Sequence, residues 1–248
     1  MNELPSSRQA TYRVVPLLII ILLSIVIYLS SLPNDFLHDD VDQIVKNPWI
    51  KDFGNIPDVL FSSVWSFLKE KVTSNYYRPM MHFIYMVDYK LFGFEPWGYH
   101  LTSMIINAAN ACMVFFVTLF LLAGRAAGGG LSKGASGGLG SPLTLAALSA
   151  AVLFTTHPVH TESVAWAASI PELSFSLFYL VSFYCYIIYV SDGKRGPALY
   201  IVSVISFFFS TLSKEPALSL PLLMLAYDLF VRREPVRPIA PLVKRYVP

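Results

Sequence analysis

Charge is what this 248-residue chain has least of: only 14% of its residues are Asp, Glu, Lys or Arg, against roughly 25% in soluble domains. That argues against a water-soluble globular enzyme. Cysteine is nearly absent as well. Cys112 and Cys185 both fall in apolar runs, which leaves neither a disulfide framework nor a cysteine-based metal site. A net charge of +2 is too small to point to nucleic acid as a partner. What the chain does have is apolar surface: 55% hydrophobic residues, with 18 Phe, 14 Tyr and 4 Trp, which excludes disorder. The class that remains is an all-α integral membrane protein.

The stretch 14–32 runs 19 residues without a charge, about 28 Å as a helix and enough for a hydrocarbon core of roughly 30 Å. A cleaved signal peptide is the competing reading, because Arg8 and Arg13 supply a basic flank. The run is long for that, and Ser30-Ser31-Leu32-Pro33 is a poor cleavage site, so an uncleaved anchor is expected. Five more spans are expected at 98–122, 143–157, 173–190, 198–212 and 216–231. Those at 143–157 and 198–212 are short, at 15 residues each, and must borrow flanking residues or sit in thinned surroundings.

Charge orients these spans. With residues 1–13 as a cytoplasmic tail, the inside segments are 1–13, 123–142, 191–197 and a basic tail at 232–248. They hold 11 of the 18 basic residues, and the outer segments hold 12 of the 16 acids. The positive-inside bias agrees at every loop. Asp228 is the one acid left within a span. Residues 79–94 tempt a further span but contain His82, Asp88 and Lys90, and counting them as one would invert the later loops. They are expected as an amphipathic helix at the outer interface, within an outer loop covering 33–97. Tyr85, Tyr89, Phe92 and Trp97 suit that depth. The Gly-rich segment 124–141 reads as a flexible inside loop, since it lacks the G-x-x-x-x-G-K-[ST] spacing of a phosphate loop.

Ionisable groups close to a membrane are costly unless they serve a purpose or stay wet, so their grouping is informative. Asp35, Asp39, Asp40 and Asp42 follow the first span. The bland reading is a solvated acidic loop; the sharper one is that adjacent carboxylates raise one another's pKa and supply a general base. Asp40 and Asp42 also have the spacing to hold a divalent cation with a phosphate ligand. Arg78, in Tyr76-Tyr77-Arg78-Pro79, is either a snorkelling arginine or a fork for a phosphate. His157-Pro158-Val159-His160-Thr161-Glu162 suits hydrogen bonding to a polar substrate better than zinc, because Pro158 interrupts the helix and no H-E-x-x-H pattern is present. Lys214 and Glu215, in a short outer turn, are either an interfacial pair or a cation aimed at an anionic headgroup.

Taken in order, these clusters resemble the membrane-embedded GT-C glycosyltransferases that use a polyprenyl-phosphate sugar donor. Within that group they are most similar to the protein O-mannosyltransferase-like proteins that carry tetratricopeptide repeats. The resembling stretches are Phe36-Leu37-His38-Asp39-Asp40, Tyr77-Arg78-Pro79-Met80, Leu91-Phe92-Gly93, Gly98-Tyr99-His100 with Asn107, His157 through Trp166, and Leu212-Ser213-Lys214-Glu215. They span about residues 12–231, and HPVHTESVAW is the most specific.

The resemblance implies inverting transfer of a mannose-like sugar at the outer face, from a polyprenyl-phosphate donor to a protein or glycan hydroxyl. Asp39 or Asp40 would be the base, Arg78 and Lys214 would meet the donor phosphate, and His157, His160, Glu162 and Glu215 would shape the sugar or acceptor pocket. No cofactor is implied beyond an optional divalent cation. Membrane lipid is the other expected partner. Two departures stand out. The basic residue usual after the HPVHTE-type string is missing from Ser169-Ile170-Pro171. Related proteins also continue past the equivalent of Pro248 into more spans and the repeats, so an incomplete catalytic fragment or a membrane scaffold is the alternative. A transporter fits less well, because the ionisable groups gather at one face. Short inside loops and the lack of N-x-[ST] in the outer segments point to a bacterial inner membrane with a periplasmic active face.

Overall fold

The computed structural model describes residues 6–68, 75–126, 140–191 and 197–232. Residues 1–5, Glu70, most of the Gly-rich segment, the centre of the 191–197 loop and nearly all of the 232–248 tail lie outside them. Among the described residues every regular element is helical.

Helix α1, Ser6–Tyr28, ends in a 3-10 turn at Leu29–Ser31. Ile20, Ser24 and Tyr28 recur every four residues and are buried, so they form one stripe facing the bundle. Leu18, Leu22 and Val26, on the other side, are exposed. A chain of short turns follows over Val41–Val45, Trp49–Lys51 and Phe53–Asn55, then α2, Ile56–Phe61. Helix α3, Pro79–Phe92, begins with proline where the missing N–H costs nothing. It stops at Gly93, whose φ of +63° suits glycine.

Helix α4, Pro96–Ala126, is the longest at 31 residues. Helix α5, Pro142–Thr156, opens on Ser141, whose hydroxyl accepts the Thr144 N–H at 3.2 Å, a standard N-cap. It ends because Pro158 forces His157 into an extended conformation. The short α6, His160–Ala165, leads through a 3-10 turn at Ala167–Ser169 to α7, Ile170–Ser191. Helix α8 is Ala198–Ser213. The last stretch is helical with three geometries: a 3-10 turn at Glu215–Ser219, α9 at Leu220–Ala226 and a π turn at Tyr227–Val231.

Among the described residues three stretches are long and apolar enough to cross a membrane: Val14–Ser31, Pro96–Gly124 and Ala167–Ser191. The apolar helices Pro142–Thr156 and Ala198–Ser213 are shorter. The six expected spans thus correspond to three helices of spanning length and three shorter helical stretches. In lipid the apolar effect does not drive helices together, so small and polar contacts must do so. Ser182 on α7 and Ser203 on α8 exchange hydroxyl-to-carbonyl bonds of 2.7 and 2.9 Å. Between α1, α4 and α5, Thr155 meets the Ser24 hydroxyl at 2.8 Å and accepts from Asn107 at 3.2 Å.

Helix α3 differs from expectation on one point. Tyr85 is not a half-wet interfacial ring; it is 1% exposed, in a core with Tyr28, Ile44, Ile50, Met86, Tyr99 and Ile170. The short turns of 41–68 fold over α3 and close that face, which the helical pattern of 79–94 alone does not reveal.

Candidate active site

The turn after α1 is built around Asp40. Its Oδ2 accepts the Leu37 N–H at 3.0 Å and its Oδ1 accepts the Ala168 N–H at 2.6 Å. The second bond fastens this turn to the segment just before α7. His38, between them, takes a φ of +48°, a left-handed conformation rare in side-chain-bearing residues. Asp40 is 1% exposed, whereas Asp39 beside it is exposed. Burial raises the Asp40 pKa above its ordinary value, opposed by the two backbone donors, and the Asp39 charge raises it further. The two adjacent carboxylates therefore differ: one is a buried fastener and the other is open to solvent.

Tyr85 of α3 links the same region from below. Its hydroxyl donates to the Ala167 carbonyl at 3.1 Å and lies 3.5 Å from the Gln43 side-chain oxygen. Directly after the Ala167–Ser169 turn, α7 begins, with Glu172 in its first turn.

Arg78 and Lys214, expected to meet an anion, are each held by a carboxylate. The Arg78 guanidinium forks onto Glu215, with Nη2–Oε2 at 3.0 Å and Nε–Oε1 at 3.4 Å, and its plane lies over the Tyr76 ring at 4.7 Å. Burial pushes the Glu215 pKa up, but the hydrogen bond from Arg78, a backbone hydrogen bond and the charges of Arg78 and Lys214 together outweigh it, and the net direction is down. Lys214 donates to Glu172. Since Lys214 and Glu215 are consecutive, the two pairs meet at one turn and join the N-terminus of α3, the first turn of α7 and the end of α8. Arg78, Lys214 and Glu215 thus lie together at one turn. Glu172, visible in sequence only as one more outer acid, completes the cluster.

The remaining expected site residues lie apart. His157 is exposed and its Nδ1 accepts the Val159 N–H at 3.2 Å. The His157 ring lies 6.4 Å from that of His160, and His160 packs on Phe154 at 4.4 Å. Burial and the neighbouring His157 both lower the His160 pKa. Glu162 is exposed. Among the described residues none of these three hydrogen-bonds or ion-pairs with Asp40, Arg78 or Lys214. Nor is there, among them, any group of three His, Cys, Asp or Glu side chains arranged to hold a metal ion. Asp42, suggested as a cation ligand with Asp40, pairs with Lys46 at 2.7 Å.

His82 and Asp88 of α3, which in the sequence served only to argue against a span, are both buried. Asp88 is buried and accepts from Thr102 at 2.6 Å; burial lifts its pKa to about 7. His82 sits among Trp49 and Phe67. It faces the Arg78 carbonyl one turn back without forming a good hydrogen bond, and burial lowers its pKa to about 4.

No family model and no solved structure matches the chain. Characterised relatives do. Protein O-mannosyl-transferase F38B6.6 of Caenorhabditis elegans is 28% identical over 236 residues, 92% of this chain and 30% of that protein. Mouse protein O-mannosyl-transferase TMTC4 is 29% identical over 72% of this chain and 24% of its own length. Human protein O-mannosyl-transferase TMTC2 is 26% identical over 89% and 25%. The chain therefore spans only 24–30% of the length of these relatives. All three are animal proteins, and they lend no support to a bacterial membrane. Over most of its own length, this chain is similar to the TMTC protein O-mannosyl-transferases.

Proposed function

We propose that this chain forms the membrane part of an inverting glycosyltransferase that moves a mannose-like sugar from a polyprenyl phosphate to a hydroxyl of a protein or glycan. The observation that carries this reading is the meeting of Arg78, Glu215, Lys214 and Glu172 at one turn, fastened through α7 and Ala168 to the Asp39-Asp40 turn. A guanidinium and an ammonium at one place suit a lipid phosphate, the first as a fork and the second as a compact charge. Similarity to proteins named O-mannosyl-transferases supports the same class.

Asp39 is the better base of the two carboxylates, because its oxygens are open while those of Asp40 are engaged by Leu37 and Ala168. In the transfer the acceptor oxygen bonds to the sugar anomeric carbon and its proton passes to Asp39. The bond from that carbon to the phosphate oxygen breaks, and its electron pair stays on the phosphate. Arg78 and Lys214 stabilise that charge. His157, His160 and Glu162 line the acceptor side, and Glu215 the donor side. The N-terminus lies in the cytoplasm and the site on the opposite face, which is the periplasm if the host is bacterial, as the charge distribution of the loops favours.

The test is transfer of labelled mannose from a polyprenyl phosphate by the purified chain in nanodiscs. Turnover lost in Asp39→Asn with donor binding retained supports the assignment. Turnover unaffected by both Asp39→Asn and Arg78→Gln overturns it.

A further inference from the structure

Neither cation of the proposed phosphate site stands free. Arg78 is forked by Glu215 and Lys214 is held by Glu172, so the cluster is formally neutral, with two charges of each sign. In both pairs the carboxylate is the more exposed partner. The Arg78 side chain is 20% exposed against 50% for Glu215, and Lys214 is 24% exposed against 36% for Glu172. Each glutamate can therefore turn out into water while its cation stays in place. Exposed ion pairs contribute little to stability, so letting go is cheap once another anion takes the cation.

We propose that Glu172 and Glu215 are built-in competitors for the ligand phosphate, and that through them the site reads how many charges that phosphate carries. This rests on the phosphate reading given above. A phosphodiester, with one negative charge, replaces one carboxylate. A phosphomonoester, with about two at neutral pH, replaces both. Glu215 is the more exposed of the two and leaves first; Glu172 leaves second.

The exchange is tied to the reaction. A sugar-loaded donor is a diester and opens only the Arg78 clasp. When the bond from the anomeric carbon to phosphate oxygen breaks, its electron pair remains on the phosphate, which becomes a monoester with a second charge. Lys214 is then drawn from Glu172 to that charge as it develops, which stabilises the transition state more than the bound donor. After transfer, the two carboxylates return to their cations and help expel the spent lipid phosphate. Glu172 and Glu215 would thus set both anion selectivity and product release.

The experiment measures binding of a short polyprenyl monophosphate and of its monomethyl ester to the full chain in nanodiscs. Wild type is expected to bind the monophosphate at least roughly tenfold more tightly than the ester. In Glu172→Gln/Glu215→Gln both lipids should tighten, the ester about tenfold and the monophosphate, which no longer has to displace two carboxylates, by more. The single variants carry the same test if the double variant does not fold, with Glu215→Gln affecting the ester most. A wild type that binds both lipids equally, or glutamine variants with unchanged or weaker binding, would overturn the proposal. If Arg78→Gln weakens binding while the glutamine variants do nothing, the phosphate site stands and the competition does not. If no protein form binds either lipid, both readings fail together.

Discussion

Glu172 and Lys214, 42 residues apart in sequence, form an ion pair that closes α7 against the end of α8. Lys214 thereby comes to rest at the first turn of α7, directly after Ser169-Ile170-Pro171, a segment that carries no basic residue of its own. A cation is supplied to that region from a distant turn instead of from the local sequence.

Neutralising either cation should weaken binding of a polyprenyl monophosphate, the ligand that engages both. Charge-assisted hydrogen bonds contribute ~1.5–3 kcal/mol, so Arg78→Gln and Lys214→Gln are each expected to lower affinity for a polyprenyl phosphate by roughly 10–100-fold. Equilibrium binding in nanodiscs checks this, and an affinity within twofold of wild type for both variants would contradict it.

The two neighbouring aspartates should separate cleanly. Asp39→Asn should abolish turnover and leave the melting temperature unchanged, because its side chain is exposed. Asp40→Asn should destabilise by ~1–3 kcal/mol, since its amide nitrogen would face a backbone donor, Leu37 or Ala168, that now has an acceptor. Thermal unfolding beside a transfer assay distinguishes them.

Asp88 and His82 predict opposite pH limbs. Burial raises the Asp88 pKa from 3.8 to about 7, so the folded state holds its proton more tightly than the unfolded chain does. Its stabilising contribution is full below about 3.8 and is lost as pH climbs toward about 7. Asp88→Asn keeps an acceptor for Thr102 and should flatten stability across that window.

For His82 the sign reverses. Burial lowers its pKa from 6.5 to about 4, so the neutral ring is favoured when folded. Stability from this group is present above about 6.5 and is lost as pH falls toward about 4. His82→Leu should blunt that acid limb, measured as denaturation midpoint against pH; an unchanged slope would show that the ring takes up its proton without cost.

Gly98→Ala should destabilise despite the better helix propensity of alanine. A Cβ there would overlap the Cβ and Cγ of Phe92, which packs edge-on against Trp97 at 5.0 Å. Overpacking typically costs ~1–3 kcal/mol, more than the ~1 kcal/mol that replacing glycine gains in a helix. A rise in melting temperature would mean that the aromatic pair relocates freely.

Much of this was legible in the chain itself. Apolar runs and the few charges between them located the long helices, and Tyr77-Arg78-Pro79 and Ser213-Lys214-Glu215 located both cations. The partners of those cations were not readable. Nothing local to Glu172 marks it as the carboxylate for Lys214, because that contact depends on how α7 and α8 align. Tyr85 misled for a related reason. Its spacing with His82 and Met86 marks one helix face, but pattern alone cannot say whether water or the turns of 41–68 cover it. Asp39 and Asp40 look alike in sequence and differ because the Leu37 and Ala168 N–H groups engage and bury only one of them.

The reciprocal bonds between Ser182 and Ser203 have a bearing well beyond the two helices they join. Ser203 stands 11 residues before Lys214, about 16 Å along the axis. A helix whose outer flank, with Ile201, Ile205 and Phe208, is apolar and exposed has little there to stop it sliding or turning, and a slip of a single residue would rotate its end by roughly 100°. These hydroxyls act as an index mark: they set the phase of α8 from its buried side. A change such as Ser203→Val, far from any reacting atom, would then be felt as a mis-aimed ammonium at the far end of the rod.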